Sequence, residues 1–418
     1  MAGQGPQTAN CLASGLSGRI KECAREAGFD LCGVAAVRDF EELEAFPVWI
    51  ADGRNGEMKY MEARDEAGKL KRAALARIAP WARSVIVCAI NYNTPQPYST
   101  QSNDPTRGWI SRYAWTREDY HEAVMRRLRK LEAALHELLN PAGNRQPTSG
   151  EPLRTRVYVD TGPLIERVFA KYAGVGWIGK NTCIINQKLG SWLFLGVILT
   201  SLEFVARHSP ANSPSAGFPA AHRSQGDSPS DDIPSGNLPR ADIPAPDRCG
   251  TCTRCIVACP TQAIVAPGLL DSRLCISYLT IEKRGEIPEE LRAGMGRHVF
   301  GCDICQDVCP WNRKAPTTEA EEFQPREKLV NPALEWLAEM CPEEFRAVFR
   351  GSPVRRAKRS GLRRNAVIAM GNSGDAKFIP ALNKLSEDSD RVVAEHAVWA
   401  LRRLEQGHDK RPGPAPDF

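Results

Sequence analysis

Two short runs of cysteine, CGTCTRCIVACP at residues 249–260 and GCDICQDVCP at residues 301–310, carry the most specific chemistry in the chain. A C-x2-C-x2-C-x3-C-P run sets three thiolates on one tight loop, where they cap three irons of a cubane, while the fourth lies a helical turn away and reaches a different cluster. Cys249, Cys252, Cys255, Cys259, Cys275, Cys302, Cys305 and Cys309 make eight thiols, the number that two [4Fe–4S] clusters require. The crossing rule then predicts Cys249, Cys252, Cys255 and Cys309 on one cluster, with Cys259, Cys275, Cys302 and Cys305 on the other. Cys275 stands in for the third cysteine that the second run lacks. A zinc ribbon is the competing reading, but tetrahedral zinc uses paired C-x2-C spacings, and the triple run offers one ion too many ligands on one loop. Cys11, Cys23, Cys32, Cys88, Cys183 and Cys341 are scattered and read as small buried hydrophobes.

Asp160 is the second chemical candidate. TRVYVDTGPLIERVFAKYAG, residues 155–174, predicts a strand, a turn and a helix, with Thr161 as N-cap, Pro163 in the first turn and Gly174 at the C-cap. Asp160 falls where strand gives way to helix, at the edge where open α/β sheets gather their ligands. An aspartate there can also be a plain helix cap. GVGWIGKN, residues 174–181, suits close backbone approach to a bulky ligand, or simply a tight turn. It matches neither the dinucleotide fingerprint nor a phosphate loop, so a nucleotide fold is not supported.

The elements that must position these residues are readable from periodicity. LSGRIKECAREAG from Leu16 predicts an amphipathic helix, FDLCGVAAV and SVIVCAINY predict strands, and residues 118–139 predict a long helix stopped at Asn140-Pro141. Residues 182–204 predict a β-hairpin with its turn near 187–190. Strands alternating with helices argue an α/β layered domain over residues 1–206. Residues 207–247 are dense in Pro, Ser, Gly and Asp and cannot bury enough apolar surface to order themselves, so they predict a disordered insertion. Residues 248–316 form the cluster domain. In residues 317–406 the segment NAVIAM from Asn365 recurs as HAVWAL from His396, a period of 31, which predicts stacked helical repeats. Residues 407–418 read as a disordered tail. Beside the first repeat lie Arg355, Arg356, Lys358, Arg359, Arg363 and Arg364, a run that is a solvated helix face or the electrostatic footprint of a phosphate backbone.

Composition bounds the class without naming it. The chain has 418 residues, 42% hydrophobic and 25% charged, with a net charge of +5, the profile of a soluble globular protein of two or three domains. No apolar stretch is long enough for a membrane helix, and the N-terminus has no basic, apolar leader, so a cytoplasmic protein is expected.

Taken together, VDTGPLIER, AGVGWIGKNT, the two cysteine runs, CISYLTIEKRGEIP and AEHAVWAL resemble the epoxyqueuosine reductase family, over most of the chain. The resemblance implies an α/β cobalamin-binding domain like that of reductive dehalogenases, a bacterial-ferredoxin-like α+β domain with two [4Fe–4S] clusters, and α-helical HEAT-like repeats. It implies an oxidoreductase that removes the epoxide oxygen of epoxyqueuosine at the wobble position of tRNA, giving queuosine. Cobalamin is fed by the two clusters, and Asp160 is the proton donor, a carboxylic acid kept neutral by its site. Arg72, Ile184, Leu195 and Ser277 are implied to line the corrin beside Asp160, although the family's R-x-D-P reads Arg72-Ala73-Ala74-Leu75 here. With tRNA as partner, Arg355, Arg356, Arg359, Arg363 and Arg364 become the expected phosphate contacts. A flavodoxin- or ferredoxin-type electron donor and a monomeric state are expected, with no membrane partner. A reductive dehalogenase and a dedicated ferredoxin-type electron carrier are the alternatives; the missing export signal and the basic helical repeats argue against the first, and the long N-terminal domain with Asp160 argues against the second.

Overall fold

The structure, a computed structural model, describes residues 6–139, 152–204 and 247–406. The expected insertion and tail fall on residues outside that set, apart from Asp247. In the first part of the chain α1 (Pro6–Glu26), β1 (Leu31–Ala36), α2 (Glu41–Ala51), β2 (Ser84–Asn91), β3 (Trp109–Ile110) and α3 (Tyr120–Leu139) are followed by β4 (Thr155–Tyr158), α4 (Glu166–Tyr172), β5 (Trp177–Ile178), β6 (Ile184–Ile185) and β7 (Leu193–Thr200). One sheet, ordered β1-β2-β7-β4, forms the centre. Every neighbouring pair in it is antiparallel, a direction that the alternation of strands and helices left open. β2 is buried along its whole length, because the sheet is covered on both faces and a central strand then reads as a continuous apolar run. On one face α1 and α3 pack on Ile86, Cys88, Phe194 and Ile198; on the other, Phe169 and Val168 of α4 pack on Val85, Val87, Val197 and Leu199.

The expected hairpin over residues 182–204 forms only its turn. Asn186 and Gly190 are bridged there, but β6 pairs with β5 while β7 enters the main sheet. The glycines of GVGWIGKN serve this local packing. A Cβ on Gly176 would stand 2.3 Å from the Ile185 carbonyl oxygen, and one on Gly179 would stand 2.5 Å from the Ile185 side chain.

Next come α5 (Arg254–Val257), β8 (Ile264–Ala266), β9 (Leu269–Leu270), α6 (Ile276–Ile281), α7 (Glu289–Arg292), β10 (His298–Phe300) and α8 (Ile304–Asp307). β10 pairs in parallel with β3, stitching the cysteine region to the first. Buried Asp303 accepts from the Ser111 hydroxyl at 2.6 Å and the Arg112 amide at 2.7 Å, and Asp307 accepts from the Ser99 amide at 2.9 Å. Arg112, itself buried, donates to the Thr94, Gln96 and Pro97 carbonyls and lies about 5.0 Å from the Trp115 and Trp192 rings.

The last five helices are α9 (Leu334–Glu339), α10 (Pro342–Val348), α11 (Lys358–Ser373), α12 (Ile379–Ser386) and α13 (Arg391–Glu405). α11 is buried on all sides from Leu362 to Gly371, between α9, α13 and the cysteine region. The two aligned segments of the sequence repeat do equivalent work. Asn365 donates to the Thr280 and Val299 carbonyls at 2.9 and 2.8 Å, and His396 accepts from the Ile287 amide at 3.2 Å, so both polar positions dock on the cysteine region. Burial pushes His396 down to about 4, leaving the neutral ring that this acceptor role requires.

Candidate active site and cluster ligands

The eight cysteines gather as two groups. Cys249 and Cys252 lie beside Cys255, and Cys309 faces Cys249 and Cys255. Cys259 and Cys275 lie beside Cys302, which with Cys275 also faces Cys305. The first group, with Lys180, Ile185 and Trp311, lines a cavity of about 260 Å³. Lys180 donates to the Gly250 and Cys252 carbonyls at 2.5 and 3.0 Å, tying the cysteine loop to the β5–β6 segment. One scattered cysteine is not scattered in space: Cys183 meets Cys305 at the second group.

Asp160 lies on the β4–α4 turn at the sheet end where β2 and β4 finish and β7 begins, as the pairs Asn91↔Leu193 and Tyr158↔Val197 require. It is not the cap of a helix that starts at once: α4 begins at Glu166, after Ile165 rather than Thr161. Its φ of 55° is the left-handed conformation, uncommon outside glycine, so the turn is held by its neighbours. The Glu166 carboxylate accepts the Asp160 amide at 2.8 Å, and Arg72 donates to the Gly162 carbonyl and, at 3.4 Å, to the Leu164 carbonyl.

The Asp160 carboxylate opens into a cavity of about 830 Å³ and its side chain is 58% exposed there. The Tyr120 hydroxyl donates to Oδ2 at 2.9 Å, and His121 Nε2 stands 3.8 Å from the same oxygen. On its other side His121 Nδ1 meets Asp119 Oδ1 at 2.8 Å. The His121 contact, reinforced by Tyr120 and by Arg356 of the same cavity, lowers the Asp160 carboxyl below its usual range against the opposing effect of burial. Burial disfavours the His121 imidazolium, yet Asp119 and Asp160 together raise it to about 9. These neighbours favour an ionised Asp160, where the resemblance implied a neutral acid. At neutral pH the carboxyl is ionised and the proton sits on His121. Glu166 is the carboxyl that burial, with the nearby Asp160 charge, raises to about 8.

Other expected residues are distributed unevenly. Ile184 is buried and Leu195 half-buried in the same apolar cluster as α4, while Ser277 sits on α6 of the cysteine region. Arg72 holds the Asp160 turn, and its Nε is buried without a hydrogen-bond partner. Of the basic run, exposed Arg355, Arg356 and Lys358 line the Asp160 cavity, joined by Arg350. Arg356 pairs with Glu282 at 2.5 Å. Half-buried Arg359 donates to the Met340 carbonyl at 2.8 Å. Arg363 and Arg364 do not fit a phosphate contact, because the helical turn carries both inward. Arg363 pairs with Asp388 at 2.5 Å and donates to the Ala338 carbonyl, and Arg364 donates to the Leu279, Lys283 and Gly285 carbonyls. Asp119, Tyr120, His121 and Glu166 had no local signature; a D-Y-H at the start of a long helix reads as an ordinary cap until the β4–α4 turn is brought against it. A separate cleft of about 500 Å³, between α2 and the segment around Leu70, holds none of the expected site residues.

Residues 248–312 match the family model described as a 4Fe-4S double cluster binding domain, so the class is that of an iron–sulfur protein. Residues 72–161 match the model described as epoxyqueuosine reductase QueG, DUF1730. The epoxyqueuosine reductase of Xanthomonas campestris is 36% identical over 386 residues, 92% of this chain and 94% of the relative; that of Synechocystis is 40% identical over 339 residues, 80% and 98%. The chain belongs to the epoxyqueuosine reductase family, and it is an oxidoreductase. An epoxyqueuosine reductase solved with an epoxyqueuosine-modified tRNA-Tyr stem loop superimposes with a TM-score of 0.72 at 27% identity, over 96% of each chain. The Bacillus subtilis epoxyqueuosine reductase, TM-score 0.72 at 26% identity over 96% of each chain, was solved with an aspartate-bearing catalytic loop swung out of its active site.

Proposed function

We propose that this protein reduces epoxyqueuosine at the wobble position of tRNA to queuosine, with the epoxide bound in the Asp160 cavity. The observation that carries the reading is the cavity itself. Asp160, His121 and Tyr120 line it together with Arg350, Arg355, Arg356 and Lys358, so a proton source and a cluster of cations share one cavity. The proposed ligand sets are Cys249, Cys252, Cys255 and Cys309 for one [4Fe–4S] cluster and Cys259, Cys275, Cys302 and Cys305 for the other. Each set offers the four thiols that a cubane needs.

The sheet face that packs against α4 also suits cobalamin. Half-exposed apolar side chains of Leu193, Leu195 and Ile178 offer a face for a corrin, and the unpartnered Arg72 Nε offers a donor to one of its polar substituents. Arg72, Ile184, Leu195 and Ser277 are the residues proposed to hold it, with Arg72 also clamping the Asp160 turn. When bound, cobalamin and the clusters supply the electrons that open the epoxide. The chain's own part is to fix the epoxide oxygen at Asp160 and to deliver protons there. Tyr120 orients the carboxylate, and the arginines of the cavity fix the anticodon arm through its phosphates.

The same reading makes residues 1–206 the cobalamin-binding domain, 248–316 the ferredoxin-like domain and 317–406 a HEAT-like tRNA-binding domain. It also implies a cytoplasmic monomer served by a flavodoxin- or ferredoxin-type donor; among the described residues no helix is long and apolar enough to cross a membrane. The test is anaerobic reconstitution with iron, sulfide and cobalamin, addition of a low-potential reductant, and mass analysis of epoxyqueuosine tRNA. Loss of one oxygen from the modified base is expected, together with a corrin absorbance that stays with the protein on gel filtration. An unchanged base with corrin retained would overturn the substrate, and free corrin would overturn the cofactor.

A further inference from the structure

We propose that His121 is a positioning residue that holds a proton and passes it to Asp160 within each turnover. The inference rests on the epoxide reduction proposed above. Converting an epoxide to an alkene breaks both C–O bonds, forms the second C–C bond and releases the oxygen as water, so it consumes two electrons and two protons. The electrons come from an external one-electron reductant through the clusters. A single carboxyl carries one proton at a time, so Asp160 must be reloaded before the oxygen leaves as water.

Among the described residues two groups that favour a proton lie beside Asp160: Glu166 is engaged with the Asp160 amide at 2.8 Å, whereas His121 faces the Asp160 carboxyl itself. His121 Nε2 points at Asp160 Oδ2 from 3.8 Å, a gap that a carboxyl rotation or one bridging water closes. Nδ1 is pinned by Asp119 at 2.8 Å, and the same Asp119 carboxylate accepts the His121 amide at 3.0 Å, fixing ring and backbone together. Tyr120 is nearer to Asp160, but burial and the Asp160 charge push its phenol well above its ordinary value, so it orients rather than reloads.

Charges on every side of His121 bear on its protonation. Its own helix start brings Asp119, Tyr120 and Glu122, and the β4–α4 turn brings Asp160. The same cavity is lined by Glu282 and the cations Arg350, Arg355, Arg356 and Lys358, together with Tyr60 and Tyr113. The α3 dipole disfavours a cation at this end. The hydrogen-bonded Asp119 carboxylate at 2.8 Å and the Asp160 charge at 3.8 Å oppose it and outweigh it. The imidazolium, raised from 6.5 to about 9, therefore contributes stability that is complete below about pH 6.5 and is lost as the pH rises through 9.

The experiment uses the full chain with its clusters and cobalamin, in single turnover with epoxyqueuosine tRNA across the pH range. The parent rate is expected to fall along an alkaline limb centred near 9. His121→Gln should slow turnover at least tenfold and lose that limb; Asp119→Asn, which keeps the ring, should move the limb at least one pH unit lower. Histidine-selective NMR on the oxidised protein without tRNA provides an independent reading, with the His121 signal titrating near 9 in the parent and lower in Asp119→Asn. A His121 signal titrating near 6.5, or an alkaline limb that Asp119→Asn does not move, overturns the proposal. If the parent converts no tRNA, the functional reading fails instead, while the NMR titration still decides whether the proton resides on His121.

Discussion

The cysteine region and the Asp160 cavity are both chemical centres, but they are assembled differently. All eight clustered thiols come from residues 249–309, seven of them three or four positions apart within two short runs and Cys275 between the runs. The cavity wall is drawn from Tyr60, the start of α3, the β4–α4 turn, the end of α6 and the α10–α11 connection. Cluster ligation depends on thiol identity and short-range spacing, whereas acid–base behaviour depends on which charges a fold brings within a few ångströms. The first kind of centre fails when one residue is lost; the second is retuned by its neighbours.

The largest effect should therefore come from the thiols. Cys302→Ala is expected to lower bound iron from about eight to about four atoms per chain, with tRNA conversion at background. Cys183→Ser, which alters the thiol touching Cys305 without removing a proposed ligand, should keep the iron. Iron analysis and electron paramagnetic resonance of the reduced protein decide both. Equal iron in Cys302→Ala and the parent would break the contrast between a local, spacing-defined centre and an assembled one.

Next in size is Asp160→Asn. It preserves the turn and the acceptor for Tyr120 but removes the proton-carrying carboxyl, so turnover should fall about 10²–10⁴-fold. tRNA affinity and iron content should be unchanged. A variant that retains more than a tenth of the parent rate would show that the proton reaches the substrate by another route.

How much of this was legible in the sequence divides along the same line. The cysteine sets, the strands β1, β2 and β4, the helix α3 and the position of Asp160 at the end of β4 all follow from local spacing and period. Sheet direction did not, because alternating strands and helices leave it open, and only the pairings of β7 with β2 and β4 reveal an antiparallel sheet. The protonation of Asp160 was also hidden, since it depends on His121, thirty-nine positions earlier in the chain. The basic run misled for a related reason. A stretch of arginines reads as one exposed stripe, but Arg355 and Arg356 precede α11, whereas Arg363 and Arg364 lie within it, on a helix that is buried all round.

That split makes a third, smaller prediction. Arg363→Ala removes one donor from half-buried Asp388, which keeps the Asp390 amide, and the donor to the Ala338 carbonyl, so the loss should be of stability, about 1–3 kcal/mol. Thermal unfolding followed by circular dichroism should show it. tRNA affinity per folded molecule should not change, and a selective loss of affinity with unchanged melting would reverse the assignment of this half of the run.

The smallest effect is expected from the other half, and it is the sharpest test of the comparison. Arg355 and Arg356 are exposed on the cavity rim, and Arg356 already shares its charge with Glu282 at 2.5 Å. Neutralising both as Arg355→Gln and Arg356→Gln should leave melting within about 0.5 kcal/mol of the parent, as for most surface changes. If each contacts one phosphate of the anticodon arm, the slope of log affinity against log salt should fall by about 1.4–1.8, with roughly tenfold weaker binding at moderate salt. Arg355→Gln alone should account for more than half of that change, because Arg356 must give up part of its Glu282 contact to engage a phosphate. A Glu282→Gln variant should then tighten binding slightly in a background that retains Arg356 and do nothing in one that lacks it. Equal effects in both backgrounds would mean that Glu282 repels the tRNA directly and that Arg356 serves the cavity wall rather than the substrate.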